Sequence, residues 1–412
     1  MMMTKLPKIA FRNIFRNLRR SILSAVAIAV SAMSVVMLFG LLAGMEADMA
    51  NNLQSYYTGE VRIQHVDFEK YERYNPLHLG VDWKSIEPIL ADNNQVRAAT
   101  ARINFPANMY LGEKQHGVMG VGVDFSSEEA FIDFPSILQE GRLPQAEKNE
   151  ILMGFALARD MHLSLGDKVT LLSTTATRGS NAFTFEIVGI AGFPVAGLNA
   201  TSIWAPIDRV QKFLGMEGQT QEILLLLEDG VDEKQAAIQI KSEIENKLNI
   251  ATDTRSWTDL NKFYGMIRIA KIAYYFIAMF FFVLGSTVII NTTMMVIFER
   301  MREIGVLSAL GMHGSELTRL FLLEGFFISM IGSAVGVIIG YVGTYYMGKV
   351  GLNFTEAFSG IDIEISSILY PQTSMLSTLA VWAYAVVIST LSTFIPSRHA
   401  SKIQPVEALR YV

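Results

Sequence analysis

The sequence predicts a membrane α-helical fold with four transmembrane helices, arranged one plus three, and a large mixed α+β extracytoplasmic domain inserted between helices 1 and 2. The first observation is composition, because 51% of the 412 residues are hydrophobic, which is too apolar for an ordinary soluble enzyme. The second is four runs without a charged residue, at 21–45, 272–298, 325–348 and 372–397. Each run exceeds the roughly 20 residues that a helix needs to cross a hydrocarbon core of about 30 Å. The third is the long polar tract at 46–268.

Charge asymmetry predicts how the chain lies in the membrane. Residues 1–20 carry six basic residues and no acidic one, and more basic residues follow the second and fourth apolar runs. By the positive-inside rule these segments are cytoplasmic, so both termini are expected in the cytoplasm and the polar tract outside. Residues 46–262 carry 19 basic and 31 acidic residues, and nucleic acid is therefore not an expected partner. The absence of cysteine excludes thiol catalysis, thiolate metal sites and disulfides.

These patterns divide the chain into segments. The predicted segments are a cytoplasmic amphipathic basic helix at 1–20, transmembrane helix 1 at 21–45, the extracytoplasmic domain with a helical stalk at 46–268, transmembrane helix 2 at 269–298, a short cytoplasmic helix at 299–316, transmembrane helix 3 at 320–348, an extracytoplasmic loop at 349–371, transmembrane helix 4 at 372–397 and a cytoplasmic tail at 398–412. The first apolar run is too long for the core of a cleaved signal peptide, so we expect a retained anchor.

Alternating and apolar runs predict the elements of the external domain. Strands are expected at 59–66, 101–111, 117–123, 168–173, 183–191, 201–206 and 222–228, and helices at 83–91, 154–162, 207–214 and 232–248. Residues 174–182 are polar and join two predicted strands, as a hairpin tip does. Residues 193–200 are apolar, contain glycine and proline, and are expected to form a loop. For both connections, a plain link and a contact with a partner remain open.

A charged stretch separates the second apolar run from the third. At helical spacing its apolar face consists of Met301, Ile304, Leu307 and Leu310. Its charges cluster on another face, at Glu299, Arg302 and Glu303. Gly311 then offers a helix stop. The pattern indicates a short helix at the membrane surface, with a solvated connecting loop as the open alternative.

The third apolar run carries glycines at a spacing of four residues, at Gly332, Gly336 and Gly340. This spacing places a flat stripe on one helix face, which favours close contact with another helix. Packing within a helix pair, dimerisation and a transport role all remain open.

The sequence contains no catalytic motif that matches in full. Residues 343–350 approach a phosphate-binding loop, but Val350 stands where a serine or threonine would hold magnesium, and the segment ends a membrane helix. The six histidines are scattered singly, so no metal site is predicted. We therefore expect a non-enzymatic protein whose energy source lies in another chain.

The charged stretch at 299–311 resembles the cytoplasmic coupling helix of the ABC transporter permeases of the MacB / LolC-LolE / FtsX superfamily. The C-terminal segment is similar to the signature of the same superfamily at Pro396, Arg398, Pro405, Glu407, Leu409 and Arg410. His399 stands where a second arginine is common in that signature. The arginine-rich start at 12–20 and the layout of spans complete the resemblance, which covers the whole chain.

This resemblance implies a permease subunit that pairs with a second permease, identical or different, and binds a separate ABC ATPase. ATP and Mg²⁺ would be bound by that ATPase, with no cofactor in this chain. The coupling residues it implies are Glu299, Arg300, Arg302, Glu303, Ile304, Gly305, Val306, Leu307, Leu310 and Gly311. Closure of the ATPase would push this helix, and the stalk would carry the displacement outward, as in a mechanotransmitter.

Within the superfamily, residues 141–144, 149–154, 165–169 and 188–190 look like the external domain that MacB-type and LolC/LolE-type members share. Residues 58–64 favour the lipoprotein-releasing branch. That branch implies a bacterial inner membrane location, a lipoprotein cargo, contact with membrane lipids, a periplasmic carrier that the hairpin at 174–182 could engage, and an apolar pocket between the first two spans. The pocket residues expected are Met33, Met37, Gly40, Tyr264 and Ile267. MacB-type efflux and an FtsX-like scaffold that activates a periplasmic partner are the alternatives.

Overall fold

The computed structural model describes residues 6–16, 18–112, 114–260, 262–354 and 366–401, and among these the side chains of 114, 262–268 and 270 are left undescribed. The chain forms two compact units. The membrane unit comprises Met1–Glu46, Met266–Leu352 and Leu369–Val412. The head unit comprises Ala47–Gly265 and Asn353–Ile368.

The described residues form helices and strands with the following bounds. The helices are α1 (Leu6–Arg16), α2 (Leu18–Asn52), α3 (Phe68–Tyr71), α4 (Trp83–Ala91), α5 (Phe125–Glu128), α6 (Phe134–Ile137), α7 (Phe155–Met161), α8 (Ala196–Thr201), α9 (Ile207–Leu214), α10 (Glu233–Leu248), α11 (Trp257–Leu260), α12 (Lys262–Glu299), α13 (Met301–Ala309), α14 (Gly314–Val350), α15 (Met375–Ser392) and α16 (Phe394–Ala400). The strands are β1 (Val61–His65), β2 (Val81–Asp82), β3 (Val96–Leu111), β4 (Lys114–Val123), β5 (Leu138–Gly141), β6 (Glu150–Gly154), β7 (Lys168–Thr174), β8 (Ser180–Ala191), β9 (Ser202–Pro206), β10 (Gln219–Thr220), β11 (Glu222–Leu227), β12 (Thr252–Ser256), β13 (Leu352–Asn353) and β14 (Ile368–Leu369). A π-helical turn, Leu53–Thr58, continues α2.

The predicted one-plus-three layout is confirmed. Over the described ranges, four helical segments are long and apolar enough to cross a membrane: α2 with its π-helical turn, α12, α14, and α15 together with α16. The fourth of these is interrupted at Thr393, where one continuous helix was expected. The Thr393 hydroxyl donates to the Thr390 carbonyl at 2.7 Å, and Pro396 has no N–H to continue the regular ladder.

The glycine stripe of α14 packs against α2 of the same chain. A Cβ on Gly332 would lie 2.6 Å from the Ala25 carbonyl oxygen, and a Cβ on Gly336 would collide with the carbonyl of Ala29. A Cβ on Gly340 would lie 3.0 Å from the carbonyl oxygen of Met33. The two backbones therefore approach more closely than any side chain would allow, which is the small-residue packing of membrane helices.

The head unit is a mixed α+β domain, as predicted. Within its described residues, ten strands form one sheet in the order β12-β1-β11-β3-β4-β9-β6-β8-β5, with β7 paired to β3 and β8. Helices α4 and α10 cover the β1–β11 side through a cluster that includes Ile86, Leu90 and Ile240. A second cluster, around Phe105, Phe185 and Phe213, fills the side near β7 and β8.

The predicted strands and helices of the head are confirmed in type, and the antiparallel pair β7–β8 confirms the hairpin, with its turn at 175–179. Three strands of the main sheet were missed, β5, β6 and β12, and so were the two-residue strands β2 and β10. The expectation of a loop at 193–200 was wrong, because α8 begins at Ala196. The Asn199 side chain donates to the Phe193 carbonyl at 2.6 Å and accepts from the Phe193 N–H at 2.7 Å, and these bonds close the segment into a helical turn.

Candidate functional site

The short helix α13 is attached to the membrane unit through one face. Arg300 breaks the regular helix after α12, and Gly311, with a φ of 95°, turns the chain toward α14. Met301 and Ile304 are 6% and 3% exposed. Ile304 belongs to a cluster that joins α1, α12, α14 and α16: Leu6, Ala10, Ile297, Ile304, Met312, Leu317, Leu320, Phe321 and Ala400. Packing on four helices fixes the position of α13 in this unit.

The opposite face of α13 is exposed and carries both apolar and charged groups. Val306 is 47% and Leu310 is 78% exposed. Arg302 is exposed too, and among the described residues it forms no ion pair. The exposed leucine and valine offer apolar area that a partner could bury, and the arginine beside them offers a charge that a partner could recognise. A docking surface for another protein needs both.

Ion pairs connect the end of α12 and the start of α13 to the N-terminal basic region. Arg16 pairs with Glu303, and Arg20 pairs with Glu299. The hydrogen bond from Arg16, reinforced by Arg300, lowers the pKa of the Glu303 carboxyl against the opposing effect of its partial burial. The N-terminal region therefore helps to orient α13.

Arg300 lies on the inner side of this network. Its guanidinium contacts Glu303 at 3.1 Å and Glu324 of α14 at 3.3 Å, and Asn13 of α1 also donates to Glu324. Arg300 is buried, so it links three helices inside the chain and is unavailable for a partner.

The structure therefore separates the expected coupling residues into two groups. The inward group supports the helix and consists of Arg300, Ile304 and Gly305, with Leu307 half-buried. The outward group is accessible and consists of Glu299, Arg302, Glu303, Val306, Leu310 and Gly311. In the tail, Pro396 is buried and Arg398 is exposed on α16, while Pro405, Glu407, Leu409 and Arg410 lie outside the described residues.

A second site is an apolar cavity of about 690 Å³ between α2, α12 and α15. It is lined mainly by large apolar side chains, among them Val35, Phe39, Leu42, Tyr275, Phe276, Met279, Phe282, Val381 and Tyr384. At its rim, Lys271 donates to Glu46 at 2.7 Å. The cavity has the apolar lining and the few polar groups that are typical of a ligand site.

Three of the residues expected in the pocket, Met33, Met37 and Gly40, do not line this cavity. Gly40 packs against Thr344, and the Met37 methyl lies 3.7 Å from the position of a Cβ on Gly343, so both face α14. Met33 lies on that side as well, with its carbonyl against Gly340. On the first span, the cavity is lined instead by Val35, Phe39 and Leu42. The side chains of Tyr264 and Ile267 lie outside the described residues.

Two family models match the chain. The MacB-like periplasmic core domain matches residues 21–243, and the FtsX-like permease C-terminal domain matches residues 275–405. The first match begins in the first span and extends through most of the head unit. The second covers the last three spans and α13.

The chain is also similar to curated proteins over most of its length. It is 23% identical to the lipoprotein-releasing system transmembrane protein LolC of Neisseria meningitidis, covering 80% of this chain and 82% of that protein. It is 22% identical to the transmembrane protein LolE of the same kind of system in Haemophilus influenzae, covering 79% of this chain and 80% of that protein. A shorter stretch is 32% identical to the macrolide export ATP-binding/permease protein MacB of Shewanella oneidensis, covering 32% of this chain and 18% of that protein.

Proposed function

The chain belongs to the family of ABC transporter permeases that carry a MacB-like periplasmic core domain and an FtsX-like permease domain, and from this premise we propose that it is a lipoprotein-releasing mechanotransmitter. In this proposal a separate ATPase binds ATP and Mg²⁺, and this non-catalytic subunit uses the resulting motion to extract a lipoprotein. The cargo leaves the outer leaflet of a bacterial inner membrane. Both termini are cytoplasmic, and the head unit is periplasmic.

The exposed face of α13 supports the coupling to an ATPase. Leu310 and Val306 are accessible apolar groups beside the accessible charge of Arg302. The inner face of the same helix is packed on four other helices. A push on the outer face would therefore be transmitted to the spans instead of bending a loop.

The single observation that carries the cargo assignment is the apolar cavity between α2, α12 and α15. Acyl chains that leave the bilayer must stay out of water, because exposing them costs about 0.8 kcal/mol for each CH₂ group, and an apolar cavity shields them. The Glu46–Lys271 pair at the rim supplies polar groups that could contact the polar part of a lipid-anchored cargo, next to its acyl chains. The similarity to LolC and LolE points to the same class of cargo.

Efflux of a small amphipathic compound is the second candidate, favoured by the stretch that is 32% identical to a macrolide exporter. A signalling scaffold of the FtsX type requires tightly packed spans, and a cavity of about 690 Å³ disfavours it.

In all cases the permease pairs with a second permease, identical or different. Release of a lipoprotein additionally requires a periplasmic carrier, with the β7–β8 hairpin as the candidate contact.

The test is purification with the ATPase encoded beside it, followed by mass spectrometry of bound acylated proteins. Ala380→Trp places an indole in the cavity, and we expect it to abolish lipoprotein co-purification. Ala383→Trp is the matched control, since Ala383 is exposed on the same helix and does not line the cavity. Lipoprotein capture that is insensitive to Ala380→Trp, or capture of only small lipophilic compounds, would contradict the proposal.

A further inference from the structure

The end of the first spanning helix is held in the head unit by one buried arginine. Arg102 of β3 donates from one terminal nitrogen to the Tyr56 carbonyl at 2.7 Å, and from the other to the Ser55 carbonyl at 2.6 Å. Both carbonyls belong to the π-helical turn Leu53–Thr58. Carbonyls at the C-terminal end of a helix lack intrahelical donors and carry partial negative charge, so a guanidinium is a well-matched partner.

Arg102 itself is held at both of its terminal nitrogens, while its Nε has no hydrogen-bond partner among the described residues. It is 1% exposed and pairs with Glu128, which is fully buried. The Thr100 hydroxyl donates to Glu128 at 2.8 Å and holds the carboxylate in place. The guanidinium also lies 5.7 Å from the ring centre of Trp204 and 5.8 Å from that of Phe131. The hydrogen bonds to Ser55 and Tyr56 therefore connect the helix end to the sheet. The surrounding contacts restrict rotation of the Arg102 side chain.

The chain is fixed at a second point directly after the turn. Gly59 has a φ of 63°, and a Cβ there would lie 2.9 Å from both the backbone nitrogen and the carbonyl oxygen of Leu225 in β11. The Glu60 N–H donates to the Leu225 carbonyl at 2.8 Å. Gly59 and Glu60, the two residues between the π-helical turn and β1, are therefore both held against the backbone of β11.

Stability alone gives a weak reason for a buried ion pair, because well-packed apolar residues of similar volume often stabilise as much or more. π-helical turns, such as the one that ends this helix, are frequent at functional sites. We infer that Arg102 is a positioning residue, which joins the first spanning helix to the head sheet so that a displacement of the helix moves the head. This inference rests on the proposed transmission of ATP-driven motion and names the residue that delivers it.

The experiment measures motion at two places in one chain, in the full transporter in lipid nanodiscs. Because the natural chain has no cysteine, spin labels can be placed on introduced cysteine pairs. One pair is at Leu376 and Asn51, and reports on the helix; the other is at Leu376 and Thr177, and reports on the head. All three positions are exposed. We expect ATP to change both distances in the unsubstituted protein.

The informative variant is Arg102→Met with Glu128→Leu, which removes the bonds to the helix without leaving one buried charge. We expect it to keep the ATP-dependent change at Asn51 and to lose the change at Thr177. Arg142→Met with Glu150→Leu is the matched control, since this arginine–glutamate pair of the same head unit makes no hydrogen bond to the helix in the part of the chain that the structure describes. The control should keep both changes.

We call the attachment of the helix end to β3 through Arg102 the joint. If the folded Arg102→Met/Glu128→Leu variant keeps the full ATP-dependent distance change at Thr177, the joint is overturned. If that variant fails to fold, Arg102→Lys decides, because lysine keeps the charge beside Glu128 but offers one nitrogen in place of two. A reduced change at Thr177 then supports the joint, and an unchanged one overturns it. An absence of any ATP-dependent change at Asn51 in the unsubstituted protein would instead refute the proposed function, and the joint with it.

Discussion

The two units use arginine and glutamate in opposite ways. In the membrane unit, Arg16–Glu303 and Arg20–Glu299 are exposed pairs around a helix with an accessible outer face. In the head unit, Arg102 and Glu128 are fully buried and bind the end of another helix. Exposed pairs contribute about 0–1 kcal/mol and exchange partners easily, whereas loss of one partner of a buried pair costs about 3–5 kcal/mol. The first arrangement suits reversible docking, and the second suits a permanent joint.

The largest effect is expected from Arg102→Ala, which leaves the Glu128 carboxylate buried and unpaired. The free energy of unfolding of the head unit should fall by about 3–5 kcal/mol. Urea unfolding of the full chain in detergent, followed by tryptophan fluorescence, measures this, because Trp204 lies beside the guanidinium. Arg102→Met/Glu128→Leu should recover most of the loss. A double variant as unstable as the single one would mean that packing, not unpaired charge, dominates this site.

The next effect concerns docking instead of folding. Leu310→Asp should weaken binding of the ATPase by about 2 kcal/mol, roughly thirtyfold, because it removes an exposed apolar anchor, and Arg302→Glu should act in the same direction. The unfolding transition should not move, since both side chains are exposed. Arg319→Glu is the matched control, an exposed arginine on α14. Binding is measured by co-purification and by titration of the ATPase, and equal losses in all three variants would indicate a general charge effect.

A smaller and pH-dependent effect is expected at Arg142–Glu150, a pair of the head unit in which the arginine is exposed and the glutamate is buried. Two hydrogen bonds of 2.7 Å from Arg142 lower the pKa of Glu150 to about 2, from an ordinary value of 4.5. A depressed pKa stabilises the fold above the unfolded-state value, and this stabilisation is lost as the pH falls from about 4.5 toward 2. Arg142→Gln should therefore lower stability at pH 7, and the deficit should shrink over that acid range. A stability deficit of Arg142→Gln that does not change with pH would show that the lowered pKa of Glu150 is not its cause.

The smallest effect is expected from Arg16→Gln. Loss of the exposed pair with Glu303 should change the free energy of unfolding by less than about 1 kcal/mol, and less still in high salt. The pKa of Glu303, which this hydrogen bond lowers, should rise toward its ordinary value. Carbon-detected NMR of labelled glutamate measures it. A stability loss comparable to that of Arg102→Ala would erase the contrast between the two units.

The spans and most head strands could be predicted from the sequence because they depend on local patterns. Runs without charge mark the four spans, and alternation marks strands such as β7 and β8. The short strand β6 was missed, since an apolar run of this kind followed directly by a helix has no period of its own. The break at Thr393 depends on a side-chain hydrogen bond and on Pro396, neither of which changes the apolar composition that marks a span.

The side-chain roles were harder to predict, because they depend on which face of an element meets which neighbour. Arg300 and Arg302 are two residues apart and equally charged, yet one is buried against Glu324 and the other is exposed. Arg102 sits in an alternating strand, where an arginine is ordinarily a surface residue, so nothing in the pattern marks it as buried. Met37 and Phe39 likewise lie on different faces of one apolar helix, toward α14 and toward the cavity.

Docking of an ATPase on the outer face of α13 is tested most directly by photo-crosslinking in cells from two exposed leucines, Leu310 and Leu376, which are 78% and 80% exposed. Leu310 lies on the outer face proposed to meet the ATPase, and Leu376 lies at the start of the fourth span, on the periplasmic side in the proposed topology. We predict that a photoreactive residue at position 310 captures an ATP-binding subunit and that one at position 376 does not. Capture of that subunit from position 376, or its absence from position 310 in an intact complex, would contradict the account.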